Sequence, residues 1–112
     1  PYESFIWLNG NMCSILVFSP SKIFLSVDPS RERPLIIEEH SLTEETFNIS
    51  LKGAAIDLQN TYMVGDSGEV LKPISYDRED NALIFPFNNE EYNIYITDIT
   101  GKTLHLLLSP RK

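Results

Sequence analysis

The sequence contains one cysteine, Cys13, so no disulfide can form within the chain and the fold must rest on its apolar core. Disulfide-free domains occur in oxidising and reducing compartments alike, so this scarcity leaves the location open. Cys13 lies in the apolar run MCSILVF and reads as a small buried hydrophobe. Neither His40 nor His105 sits beside it in sequence to activate a thiol. Basic residues are also scarce. Nine Lys and Arg stand against sixteen Asp and Glu, for a formal net charge of -7, and the bases are scattered. Phosphate backbones and anionic lipid surfaces would be repelled, which removes nucleic acid and anionic membrane surfaces as partners. Long hydrophobic runs are missing, and the apolar stretches fall far short of the roughly 20 residues that cross a bilayer, so no membrane span is expected. No secretory leader is visible, and the chain opens on Pro1 rather than Met, so an upstream leader is expected to have been removed.

Motifs of catalysis and metal binding are missing as well. There is no HExxH and no CxxC, and the two histidines are far apart. The acidic turn YDREDN has the alternating carboxylates of a calcium loop at Asp77 and Glu79. The positions where an EF-hand requires Gly and the closing Glu hold Ala82 and Asn88. Gly65-Asp66-Ser67-Gly68 precedes a strand-like run, not a helix, so it is neither a phosphate cradle nor a nucleophile elbow. The pairs Glu38-Glu39, Glu44-Glu45 and Glu90-Glu91 are neighbours in sequence. On a strand, neighbours face opposite ways and cannot act as an acid and base pair. The reading is therefore of a chain with no catalytic, cofactor-binding or metal-ligating residues: not an enzyme, and with no cofactor.

What is present is a period of two. Between Tyr92 and Thr97, and again from Phe47 to Lys52, apolar and polar residues alternate, as in a strand with one buried face. Asp98 to Gly101 supply a turn, and Thr103 to Leu108 return as a second strand. SFIWL (Ser4 to Leu8) and Met12 to Phe18 flank Asn9-Gly10, the strongest short hairpin signal, because both turn positions need positive φ. Ile23 to Val27 and Leu35 to Glu39 are further strand candidates, separated by the charged, proline-rich loop Asp28 to Pro34. Any domain boundary is expected there. Ser41, three residues before Glu44, suggests a single capped helical turn. Thr61 to Val64 and Val70 to Ile74 read as a hairpin around Gly65 to Gly68, with Pro73 at a strand end. Ser75 to Asn81 reads as a charged turn, and Ala82 to Phe87 as a strand broken by Pro86.

The hydrophobic fraction of 42% and charged fraction of 22% exclude disorder. A chain of 112 residues suits a single domain over 1–112. Short strands at even spacing, with no helical periodicity between them, predict an all-β fold. The expected form is an antiparallel β-sandwich, Ig-like, of about seven to nine short strands.

Residues 91–112, with YNIYITDITGKTLHLLLSPRK, resemble the last hairpin of small secreted β-sandwich domains of Bacteroidetes. There a tyrosine opens an alternating strand, a Gly-containing turn follows, and an apolar strand closes the domain. TYMVGDSGEV (Thr61 to Val70) resembles their central hairpin. The resemblance spans residues 46–112, to a domain-of-unknown-function family of short Ig-like or fibronectin-like proteins, and differs where Glu91 replaces their glycine. The C-terminal piece also resembles the sorting domain of the type IX secretion route. The resemblance implies a secreted, periplasmic or outer-membrane-associated protein, and it transfers no catalytic residue.

The function expected from these readings is a non-enzymatic module mediating protein interaction or adhesion. The alternative is a carbohydrate-binding module using exposed aromatic residues. The partner is accordingly another protein or a cell-surface glycan. Aromatic residues make up 11% of the chain, enough for a stacking platform. The candidate ligand-facing residues are Tyr76, Tyr95 and Trp7. Tyr95 leads, because Ile94 and Ile96 on either side should take the inner face. The apolar flanks of Trp7 favour the core for that ring.

Overall fold

A computed structural model describes residues 2–8, 11–17 and 35–110, with residues 2–8, 11–17 and 110 defined by their backbone alone. Ten strands follow in chain order. They are β1 (Tyr2–Leu8), β2 (Asn11–Val17), β3 (Ile36–Leu42), β4 (Thr46–Lys52), β5 (Tyr62–Val64), β6 (Val70–Leu71), β7 (Ser75–Asp77), β8 (Ala82–Pro86), β9 (Tyr92–Thr97) and β10 (Thr103–Pro110). They form two antiparallel sheets, one ordered β1-β2-β10-β9-β5-β6 and the other β3-β4-β8-β7. The only helical element among the described residues is one 3₁₀ turn, Leu58–Asn60.

The protein is an all-β sandwich. From Leu35 onward, the strand order β3-β4-β8-β7 facing β10-β9-β5-β6 is that of an immunoglobulin-like Greek key. β7 adds a short strand where a turn was expected, and β1 and β2 form the hairpin that SFIWL and Met12 to Phe18 predict. It joins the edge of β10 through a ladder from Leu106↔Val17 to Pro110↔Cys13, and β1 lies beside β3 at the edge of the other sheet. The ladder between β1 and β2 runs from Tyr2↔Val17 to Leu8↔Asn11, and the Asn9-Gly10 turn itself lies outside the described residues. The expected strand Ile23 to Val27 and the possible boundary at 28–34 lie outside the described residues.

Alternation sets which side chains meet. The inner face of β4 presents Phe47, Ile49 and Leu51, and that of β8 Leu83 and Phe85. Tyr92, Ile94 and Ile96 of β9 and Leu104, Leu106 and Leu108 of β10 oppose them, and all belong to one buried cluster. Phe47 and Phe85 stack at 6.5 Å, and Phe87 meets Tyr92 at 5.9 Å with its ring tilted. Three phenylalanines, Tyr92 and an aliphatic layer thus hold the sheets together without a disulfide. Burial of each such side chain contributes about 1.5–3 kcal/mol. Tyr92 opens β9 with its ring in the core and its hydroxyl accepting the Asn88 N–H at 2.9 Å. This is the tyrosine corner seen at the matching strand of immunoglobulin-like domains.

Three local expectations are corrected. The stretch Ser41 to Glu45 forms no helical turn. β3 continues through Leu42, and Thr43 builds the hairpin, its Oγ1 accepting the N–H groups of Thr46 (2.9 Å) and Glu45 (3.3 Å). A hydroxyl-built turn that leaves Leu42 and Phe47 paired in the ladder outcompetes a one-turn helix with nothing to bury. Ser75 to Asp77 is not turn but strand: β7 pairs with β8, and Tyr76, opposite buried Leu83, packs against the core. Pro86 does not break β8. It pairs with Thr46 on one side, while β7 reaches only Ile84 on the other, so the missing N–H interrupts no ladder there.

Candidate functional site

The outer face of the larger sheet carries a row of stacked rings. Hairpin geometry places Tyr95 of β9 opposite His105 of β10, and the pairing of β5 with β9 places Tyr62 on the other side of Tyr95. Direct cross-strand partners share a face, so the three rings line up across three strands. Tyr62 and Tyr95 stack at 5.1 Å and 29°, and Tyr95 and His105 at 4.4 Å and 15°. Asn93 Oδ1 lies 2.9 Å from His105 Nε2. A carbonyl oxygen only accepts, so Nε2 carries the proton and the ring is held in one orientation. Partial burial lowers the pKa of His105 below 6.5 and keeps the imidazole neutral.

This arrangement limits the chemistry available. Both faces of Tyr95 are covered, one by Tyr62 and the other by His105. A sugar ring stacks on an open aromatic face, and Tyr95 presents none; it offers its edge and hydroxyl. The tyrosine hydroxyls of the row make no hydrogen bond to other described residues. The row is therefore amphipathic, with its rings fixed by one another.

The sequence-derived candidates are not brought together. Tyr95 lies on the outer face, as the burial of Ile94 and Ile96 requires. Tyr76 belongs to the other sheet, where its hydroxyl accepts the Ile56 N–H at 3.0 Å and donates to Asn81 Oδ1 at 2.6 Å. The Asn81 amide in turn donates to the carbonyls of Leu51 (3.2 Å) and Ala54 (3.0 Å). The Tyr76 hydroxyl is thus committed to an internal network that ties β7 to the segment after β4. Trp7 lies in β1 opposite Met12, and its side chain lies outside the described residues. Sequence reasoning missed His105 and Asn93 as members of the row. Counting back from the DITGK turn pairs residue 95 with 105 and would have found the histidine. The Tyr62–Tyr95 contact joins strands far apart in the chain and has no local signal.

Two other places gather polar groups. The outer face of the smaller sheet holds a shallow depression of about 310 Å³, lined by short side chains such as Ser41, Asn48, Ser50, Ser75 and Ala82. It offers hydrogen bonds but no stacking surface. At the end where the β4–β5 and β9–β10 connections meet, Asp98 is almost fully buried. Its Oδ1 accepts from Thr100 N (2.9 Å), Thr100 Oγ1 (2.6 Å) and Lys102 N (3.0 Å), the work of a turn builder. Asp77, from the calcium-like turn, likewise accepts the Glu79 N–H at 2.9 Å. No helix among the described residues is long and apolar enough to cross a membrane. No protein-family model, curated protein or solved structure matches the chain.

Proposed function

We propose that this chain is a non-enzymatic, secreted or periplasmic sandwich module that binds another protein, using the Tyr62–Tyr95–His105 row as its contact surface. The observation that carries this reading is the stack itself: preorganised tyrosines supply large, amphipathic contact area at little entropic cost on binding. Aromatic residues are enriched at protein interfaces for that reason. The extracytoplasmic location rests on the resemblance to secreted Bacteroidetes domains alone. The test is capture of binding partners by wild type and by a Tyr62→Ser/Tyr95→Ser variant, with light scattering on each. A partner held by wild type and lost by the variant supports the reading. A wild-type monomer that captures nothing, or a partner held equally by both, overturns it.

A glycan-binding module is the second reading, and the same aromatic row favours it. With Tyr95 covered on both sides, stacking is limited to the outer ring faces of Tyr62 and His105. A glycan array with no signal at about millimolar ligand, where such weak sites are already half-filled, removes this alternative.

A further inference from the structure

We infer that the depression on the outer face of the smaller sheet is a binding site for a linear polyamine, an alkyl chain with an ammonium group at each end. It lies on the opposite sheet from the aromatic row and is independent of it. Strand register builds it from two adjacent rows. One runs Glu39–Ser50–Ala82–Asp77 across β3, β4, β8 and β7, and the other Ser41–Asn48–Ile84–Ser75. Cross-strand partners share a face, and alternation turns Ile49, Leu83 and Tyr76 the other way, towards the core. The central strands supply a half-buried floor of mostly short side chains, and the edge strands β3 and β7 supply exposed walls. The volume of about 310 Å³ is that of a small-molecule site, at the lower end of the range.

A β-bulge places one acidic wall. Between Ile37 and Glu39 the register of β3 against β4 shifts. Ile37 pairs with Leu51 on the inner face, and beyond the shift Leu42 pairs with Phe47, also inside. In an unbroken register Glu39 would stand opposite Ile49 and face the core. The bulge sets it opposite Ser50 instead, and Ser41 opposite Asn48, so both face out. Asp77 ends the same row on β7.

Charge and hydrogen-bonding capacity define the ligand. Glu39 and Asp77 stand three strand spacings apart, about 14 Å between Cα atoms. The Glu39 carboxylate accepts no hydrogen bond from another described residue. Asp77 uses only Oδ1, for the N–H groups of Glu79 (2.9 Å) and Asp80 (3.5 Å). The hydroxyls of Ser41, Ser50 and Ser75 are likewise uncommitted among the described residues. No Lys or Arg lines the depression, and burial lowers the pKa of His40 below 6.5, so its lining carries no cation at neutral pH. Between the two carboxylates lie Ala82 and, in the adjoining row, Ile84. Carboxylates at two separated ends, alkyl surface between them and hydroxyls to accept N–H bonds match a linear polyamine. A compact cation would meet one carboxylate only, and an anion would be repelled by both.

The test is an amide NMR titration of the full chain with spermidine, and with butylamine as the single-charge control. It is run at about 0.1 M salt, where charges beyond a Debye length are screened. Saturable shifts are expected in 39–41, 48–50, 75–77 and 82–84, with spermidine binding several-fold more tightly than butylamine. Glu39→Gln and Asp77→Asn, the latter keeping the oxygen that builds the turn, should each weaken spermidine about threefold, as loss of an exposed ion pair does. Glu79→Gln removes the same charge from the neighbouring turn, outside the depression, and should leave the affinity unchanged. Ser50→Val fills the floor without changing charge and should abolish the shifts, with Tm confirming the fold. Shifts spread over acidic side chains elsewhere, equal binding of butylamine, a Glu79→Gln loss as large as that of Glu39→Gln, or undiminished binding to folded Ser50→Val overturns the site.

Discussion

Tyr76 shows how a single residue type carries two meanings. Read alone, a tyrosine in a charged stretch faces solvent; in the fold, its ring packs on the core and its hydroxyl bridges Ile56 and Asn81. Removing the hydroxyl strands a backbone N–H and an amide oxygen that have no second partner among the described residues. Tyr76→Phe is expected to cost about 1–3 kcal/mol, the penalty for orphaned, partly buried polar groups. Urea unfolding that gives a variant as stable as wild type would show that water replaces the network. Tyr92 is the complementary case. The alternating pattern put it at the head of a strand, but its corner bond to Asn88 depends on how the preceding loop returns.

At the level of elements, turns are governed by a few groups. Gly101 sits at φ +89° in the β9–β10 turn with open space where a Cβ would go. Gly101→Ala should therefore cost only the left-handed backbone penalty, about 1–2 kcal/mol, and should leave the cross-strand pairs of β9 and β10 intact by NMR. Lys72, just after β6, caps the 3₁₀ turn. Its ammonium donates to the carbonyls of Leu58, Gln59 and Thr61 at 2.9, 3.0 and 3.1 Å. Lys72→Met keeps the stem and removes all three bonds. Because the side chain is exposed, the expected loss is about 1 kcal/mol, below the sum of three charged bonds in a dry interior. Faster amide exchange confined to residues near 58–61 would identify the cap as its source. The absent helix at Ser41–Glu45 belongs to this scale too: a capping pattern was legible, but the register of Leu42 with Phe47 decided against it.

For the whole molecule, pH acts through two opposed sets of groups. Burial lowers the pKa of both His40 and His105 below 6.5. The folded chain then binds these protons less readily than the unfolded one. Stability is full above 6.5 and falls as pH drops below it towards the depressed folded values. Glu90 works the other way, adding stability as pH falls through its raised folded value. Chemical denaturation across pH should show a decline starting near 6.5 that is reduced in His105→Gln. An unchanged profile in that variant would assign the decline to His40 alone.

The sequence by itself determined the strongly alternating strands and their faces, but not β7. Period-two alternation in 47–52 and 92–97 leaves one way to bury Phe47, Ile49, Leu51, Ile94 and Ile96. Asn-Gly and Asp-x-x-Gly turns fix local hairpins for the same steric reason in any fold. Only the tertiary structure decided which strands from distant parts of the chain lie side by side. That choice added a hairpin to β10, turned Tyr76 inward, and set Tyr62 against Tyr95. The physical reason is range: alternation and turn chemistry act over a few residues, whereas strand order is selected by the joint burial of two whole sheets, which no local pattern encodes.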